Sequence, residues 1–550
     1  MQVERQEIPA PAGPGAARQG WGMKLAVTAA LLVVLLIGGA VRRLGIGHGA
    51  NQYLWHPDVS KQAQIAIQAY SGTLDPAGLY EADVRRIVYP YGAPILLARA
   101  LQLQSACTGQ EVMARRDRWM WAYRLRWQSS LLFLAAAGMA FLCLRPRVGA
   151  GGILLGGLVL VLEPTNALDS HYAMNDVPMA AFVLLAWACC TRISGEPRRF
   201  PWASLATGLA LGLAFGVKYS AVLAGIFPLA VWLHGLRRRP WQDTAVSIAA
   251  CGLAVLAGVW LTCPMLQLDP LFFLRHLPAF LHWQANVTEK CIPLAHKITD
   301  NLAVLAWTAL GQGHFLLVLG SAWGTVRMLR MRNRDPLAGL FLASWLLAGL
   351  LTAVILAARD IARANDLLMI WPPLILMATL GLTTGQPSRR VLFPALTLAA
   401  VVIGWFGFQA FTDAAALARP DTRELARAWC RAQIPAGSLV LAENYTLPIG
   451  QPGVKEIHSR HLSDRALRKR ILRGRGDYVI SSSLAHDRFF DARQPYYDPA
   501  LQEVYLRLTN RYEIAARFRD RPLPFAHPEI TIYRRRAEPA GRASGGEIQK

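Results

Sequence analysis

Long apolar runs separated by short polar connections dominate the first three quarters of the chain. They fall at about 25–41, 124–144, 149–163, 177–193, 201–217, 220–236, 244–263, 302–326, 337–357, 366–384 and 391–411. A helix rises ~1.5 Å per residue and the hydrocarbon layer is ~30 Å thick, so runs of this kind read as membrane spans. The pattern predicts an α-helical polytopic membrane protein with about eleven transmembrane helices. In the long connection after the first run, Val59 to Tyr70 places Ile65, Ala66 and Ala69 on one side of a helix and Lys61, Gln64 and Gln68 elsewhere, and stops at Gly72. That spacing predicts a helix lying along the interface. A second stretch there, Ile95 to Leu103, is interrupted by Arg99 and is too short and too charged for a span.

The pattern changes after about residue 411. Strand-like runs occur at Ser438–Ala442, Asp477–Ser481 and Glu529–Tyr533, with helical stretches near 421–433 and 463–473. The organisation expected is a disordered tail at 1–23, a membrane domain at 24–411 and a small α/β domain at 412–550.

Charge fixes the orientation. Of 58 Lys and Arg against 35 Asp and Glu, many basic residues sit in alternate short connections: Arg145 and Arg147, Arg198 and Arg199, Arg237 to Arg239, Arg327 to Arg334, Arg389 and Arg390. The positive-inside rule then places the N-terminus in the cytoplasm and, with an odd span count, the C-terminal domain outside. The same distribution makes nucleic acid a poor partner for a net charge of +23. The eight cysteines are scattered without a CxxC or a His/Cys ligand spacing, so no zinc site is argued. Cys107, Cys291 and Cys430 fall in outer segments where a disulfide could form but cannot be paired from sequence.

Candidate chemistry gathers at the outer ends of the spans. Asp58, beside His56, directly precedes the interfacial helix; it can cap that helix, act as a base, or do both. Asp169, His171 and Asp176 share one short outer loop, and Asp176 stands two residues before Pro178 at a span start, again a capping position. Two carboxylates and two histidines could hold a divalent ion, but their spacing matches no strong metal motif. Lys218 and Tyr219 close a Gly/Ala-rich span, and Arg359, Asp360 and Arg363 lie at another outer mouth. Basic groups on that side either snorkel, pair locally as Arg359 with Asp360, or hold a lipid phosphate. No span carries a charge near its centre, as ion-driven transporters do, apart from Glu163 beside Pro164 at a span end. A lipid or glycan transporter and a non-catalytic envelope scaffold remain the competing readings.

With these residues in place, the chain resembles the bacterial protein O-mannosyltransferase and aminoarabinose-transferase-like glycosyltransferases of the GT-C class, over nearly its whole length. The resemblance rests on His56-Pro57-Asp58, on Val88-Tyr89-Pro90, on Ser170 to Asp176, on Gly212 to Tyr219, and on Ile434 to Gly437, Glu443 to Thr446 and His527 to Tyr533 in the tail. It implies a polyprenyl-phosphate sugar donor, an envelope glycolipid, glycan or protein acceptor, inversion at the anomeric carbon and no required cofactor. It also implies Asp58 as catalytic base, Asp176 as second acid, and Lys218 with Arg359 or Arg363 on the donor phosphate, with His56, Tyr89, His171 and Tyr219 contacting substrate. An inner-membrane location follows from the same likeness. Val59 stands where relatives often carry Glu, Tyr89 where the aminoarabinose transferases carry Lys, and Arg363 to Leu368 departs from the Arg-Tyr-Leu-Leu-Pro pattern.

Overall fold

The computed structural model describes residues 14–49, 57–75, 91–109, 118–193, 201–235, 240–268, 270, 271, 275, 278, 294–330, 337–358, 364–383, 389–459, 461–490, 499–521, 523 and 526–537. The chain divides into two compact units, one holding most residues up to Ala415 and the other formed mainly by Ala416–Lys550.

In chain order the helices up to Leu417 are α1 (Pro14–Arg43), α2 (Pro57–Tyr70), α3 (Gly92–Thr108), α4 (Arg118–Leu162), α5 (Pro164–Asp169), α6 (Asp176–Ile193), α7 (Trp202–Val217), α8 (Ile226–Gly235), α9 (Trp241–Thr262), α10 (Pro264–Leu268), α11 (Leu294–Gly311), α12 (His314–Arg330), α13 (Leu337–Ala358), α14 (Trp371–Thr383) and α15 (Arg389–Leu417). Two 3-10 turns, Tyr219–Gly225 and Ala364–Leu367, precede α8 and α14. Among the described residues six helices are long and apolar enough to cross a membrane, or seven if the bent pair α11 and α12 is one span. Two of the expected spans merge in α4, whose backbone leaves helical geometry at Gly149, three residues after Pro146.

Two expectations are corrected. The run at 302–326 is not one straight helix: α11 and α12 meet at 82°. Gly313 makes the turn at φ +80°, and a Cβ there would lie 2.9 Å from Trp405 Cδ1. Second, the apolar runs on α7, on the segment Tyr219–His234 and on α14 form helices shorter than a full span. The stretch around Ile95, expected to be too short and too charged for a span, is the 17-residue helix α3 and is not among the helices long and apolar enough to cross a membrane. Its neighbour α2 supplies what it lacks alone: Gln102 donates to the Ala69 and Tyr70 carbonyls at 3.1 and 2.9 Å, and the Tyr70 and Ser105 hydroxyls are 2.9 Å apart.

Trp187, Phe133, Phe141 and Phe341 fill the interior, fully buried, while Leu25, Leu36, Leu253, Leu256, Leu346 and Phe408 stand exposed on α1, α9, α13 and α15. So extensive an apolar exterior suits hydrocarbon rather than water. One helix seam positions the site described below. Gly208, Gly212 and Gly216 recur every fourth residue along α7, and a Cβ on any of them would overlap α9, at Cys251 O, Val255 O and Thr262 Oγ1 respectively. The two backbones therefore touch, as small residues at this spacing allow.

The second unit is a five-stranded sheet in the order β2-β1-β3-β5-β4, from β1 (Leu439–Glu443), β2 (Lys455–Ser459), β3 (Tyr478–Ser482), β4 (Tyr512–Phe518) and β5 (Ile530–Arg535). β1 pairs in parallel with β2 and β3, and β5 runs antiparallel to β3 and β4. Helices α16 (Thr422–Gln433), α17 (Arg465–Leu472), α18 (Ser483–His486) and α19 (Pro499–Arg511) complete it. Val440 and Ala442 join one apolar cluster with Cys430 of α16, and Leu441 joins another with Ile471 and Val504 of α17 and α19. Burial on both faces explains why β1 reads as an unbroken apolar run.

Candidate active site

The site is built from three chain segments of the first unit. Glu163 starts the first by capping α5, accepting from the Thr165 and Asn166 amides at 3.0 and 2.7 Å, with Pro164 pre-set for the first helical position. After one and a half turns the helix ends at Asp169, the chain reverses through Ala173 at φ 53°, and α6 begins at Asp176. The second segment is the end of α7. Lys218 breaks that helix by adopting an extended conformation, φ −153° and ψ 122°, while its amide still donates to Ala214 O at 2.9 Å. The third is the 3-10 turn carrying Asn365 and Asp366.

These segments converge on one ammonium group. Lys218 Nζ is ion-paired with Asp176 Oδ1 and lies 3.9 Å from Asp366 Oδ1. Asn365 Nδ2 donates to the other Asp176 oxygen at 3.5 Å. Side-chain exposure is 5% for Asp176, 7% for Asp366 and 24% for Lys218, so the carboxylates are enclosed and the cation keeps a face to solvent. Asp169 is buried nearby. Burial, with the fields of Asp176, Glu163 and Asp366, pushes its carboxyl well above the ordinary range, and its Oδ2 has no partner among the described residues.

The residues named from sequence separate into three sets. Asp176 and Lys218 come together as expected. Asp176 was also read as a helix cap; its carboxylate instead engages Lys218 and Asn365. His171 turns inward: its Nδ1 and Nε2 each lie 2.8 Å from a backbone carbonyl oxygen, of Ala167 and Leu44, and burial pulls its pKa down to about 4. That geometry fastens the loop to the end of α1, so His171 is corrected from a substrate contact to a structural residue. Tyr219 is also buried, its ring 5.1 Å from that of Phe215. Asp58 occupies the first turn of α2 by its backbone, and its side chain lies outside the described residues, as do His56, Tyr89, Arg359 and Arg363 altogether. Sequence reasoning missed Asn365 and Asp366; two polar residues opening the apolar run at 366–384 were the available signal.

Buried polar groups hold the frame. His314, at the start of α12, pairs with Glu163 at 2.7 Å, both essentially without exposure, and stacks on Trp371 at 4.2 Å. Arg42 donates to Val161 O at 2.8 Å and Asn166 Oδ1 at 2.6 Å, and Arg126 to Ile46 O at 3.0 Å. Among the described residues no three His, Cys, Asp or Glu side chains are grouped to hold a metal ion, and seven cysteines, Cys107 and Cys430 included, are free thiols.

Residues 118–279 match the family model of dolichyl-phosphate-mannose-protein mannosyltransferases. No curated protein sequence matches the chain. Among solved structures, the oligosaccharyltransferase of Archaeoglobus fulgidus in its apo form is similar at a TM-score of 0.50 and 11% identity, covering 87% of this chain and 72% of that one. ArnT from Cupriavidus metallidurans in the apo state is similar at a TM-score of 0.48 and 15% identity, covering 94% of this chain and 98% of that one.

Proposed function

We propose, from the premise that the chain has the GT-C fold of membrane glycosyltransferases, that it moves one sugar from a polyprenyl-phosphate carrier to a hydroxyl of an envelope glycolipid, glycan or protein. The observation that carries this reading is the Lys218 ammonium held between Asp176 and Asp366 at a helix end. It lies inside the stretch that matches a family named for a polyprenyl-phosphate sugar donor.

In the proposed reaction the acceptor oxygen bonds to the anomeric carbon as the bond from that carbon to the phosphate oxygen breaks. The acceptor proton goes to the Asp58 carboxylate, and the polyprenyl phosphate leaves with the electron pair. Charge builds on that phosphate while the sugar is oxocarbenium-like, so a fixed cation lowers the barrier. Lys218 supplies it, and Arg359 or Arg363 is proposed to complete the grip. Asp176 holds Lys218 in place, which makes it a positioning residue. Attack opposite the phosphate inverts the anomeric centre. The proposed setting is the bacterial inner membrane, with the N-terminus in the cytoplasm and the site and second unit facing the periplasm. No step is routed through a metal ion.

The test is purified protein in nanodiscs, incubated with a panel of radiolabelled polyprenyl-phosphate sugars and envelope extracts. Wild type should release polyprenyl phosphate and label an acceptor, and Asp58→Asn should lose about 10²-fold or more of that rate. Undiminished transfer by Asp58→Asn would remove the assigned base.

A further inference from the structure

We propose that the carboxyl ends of β1 and β3 form a saccharide-binding subsite in the second unit, centred on Glu443 and flanked by the Phe490 ring. The order β2-β1-β3 is the starting point. The chain leaves the end of β1 toward β2 on one side and leaves the end of β3, through α18 and α19, toward β4 and β5 on the other, so the connections diverge where β1 and β3 end. Open α/β sheets take their ligands at such a divergence. The motif Glu443 to Thr446 lies there and has no part in the transfer site.

The divergence is built for polar recognition. Glu443, the last residue of β1 and fully buried, accepts from the Ser482 amide at 2.6 Å, the Tyr505 hydroxyl at 2.7 Å and the Leu462 amide at 3.2 Å. Ser482 beside it is also fully buried, and its Oγ has no hydrogen-bond partner among the described residues. His486 Nδ1 is 3.3 Å from Ser481 Oγ and 2.9 Å from Ser482 O, and His461 Nε2 is 3.1 Å from Asp464 Oδ1. The side chains of His461, His486 and Asp464 are 22%, 25% and 29% exposed, forming a polar rim. Phe490, 41% exposed, lies 5.9 Å from the His486 ring and 6.0 Å from that of Tyr505.

Charge selects the ligand class. A carboxylate at the divergence repels the phosphates that such sheets often bind, and favours an uncharged molecule rich in hydroxyl donors. An exposed aromatic face beside imidazoles and carboxylates suits a pyranose, whose C–H face packs on the ring while its hydroxyls are shared among the polar groups. Binding here needs no donor lipid, and the proposal stands apart from the transferase reading.

The experiment is saturation-transfer NMR on the full chain in nanodiscs, with the methyl glycosides of mannose, glucose and galactose as probes. At least one glycoside should give a signal that falls about fivefold, the loss expected for an aromatic contact, in Phe490→Ala and again in His486→Gln. Both variants should keep the wild-type melting temperature, and inorganic phosphate should not displace the glycoside. A signal from no glycoside, a signal untouched by both variants, or displacement by phosphate would overturn the proposal.

Discussion

Asp176 and Lys218 form an ion pair across 42 residues of sequence, tying the start of α6 to the break after α7. With Asp366 also within 4 Å of the amine, two acids share one cation. Lys218→Met should lower kcat/KM for the lipid donor about 10²-fold, as the loss of a fixed group at the developing charge does. It should also cost about 2 kcal/mol of stability, less than a wholly buried pair because Lys218 keeps some solvent. Lys218→Arg should retain more activity than Lys218→Met. Transfer rates and thermal unfolding in the same nanodisc preparation check both effects; wild-type turnover in Lys218→Met would remove the phosphate role.

Glu163 and His314 are a buried pair that also caps α5 and fixes the bend before α12. His314→Ala should cost about 3 kcal/mol, because it leaves a buried carboxylate without its ring partner. A double-mutant cycle with Glu163→Gln should show coupling of about 1 kcal/mol or more between the two positions. Additive losses in melting temperature would mean that the two side chains act independently.

Glu443 sets a pH dependence in the second unit. Its folded pKa, raised by burial from 4.5 to about 7, means that the folded chain holds the proton more tightly than the unfolded chain. Stability from this group is therefore full below about pH 4.5 and declines as pH rises through 7, by roughly 3 kcal/mol in all. Hydrogen exchange at β1 and β3, corrected for intrinsic rates, should show stronger protection at pH 5 than at pH 8. Glu443→Gln should flatten that difference, and protection that increases toward pH 8 in wild type would contradict the sign.

The α7 and α9 seam predicts a sharp response to one methyl group. Gly212→Ala drives a Cβ into Val255 O and should cost roughly 1–3 kcal/mol. Because Lys218 hangs from the end of α7, transfer should fall as well. Gly252→Ala on α9 meets nothing within 4 Å and serves as the control. Equal melting temperatures and rates for the two variants would deny the seam its role.

The sequence disclosed whatever depended on local pattern. The helix α2 and the strands β1, β3 and β5 carry their own periodicity or apolar run. The edge strands β2 and β4 escaped because polar residues such as Lys455, His458, Glu513 and Arg517 break up their apolar pattern. The bend at Gly313 escaped because hydrophobicity runs on through Leu310 and Leu316, and it is partners distant in sequence, Glu163 and Trp371, that turn His314 inward. Asp176 and Lys218 were legible as polar residues at span ends. The second acid on Lys218, Asp366, was not, since nothing in chain order brings residue 366 to residue 218.

A seam in which glycine lies directly on a facing carbonyl has no side-chain rotamers to rearrange, so α7 and α9 behave as one rail. Under the proposed function, the breathing that admits a polyprenyl tail must then occur along other helix boundaries. Sites for spin labels or crosslinks that report on lipid entry are accordingly best chosen away from that rail, beside the bend at Gly313 or the turn that carries Asp366.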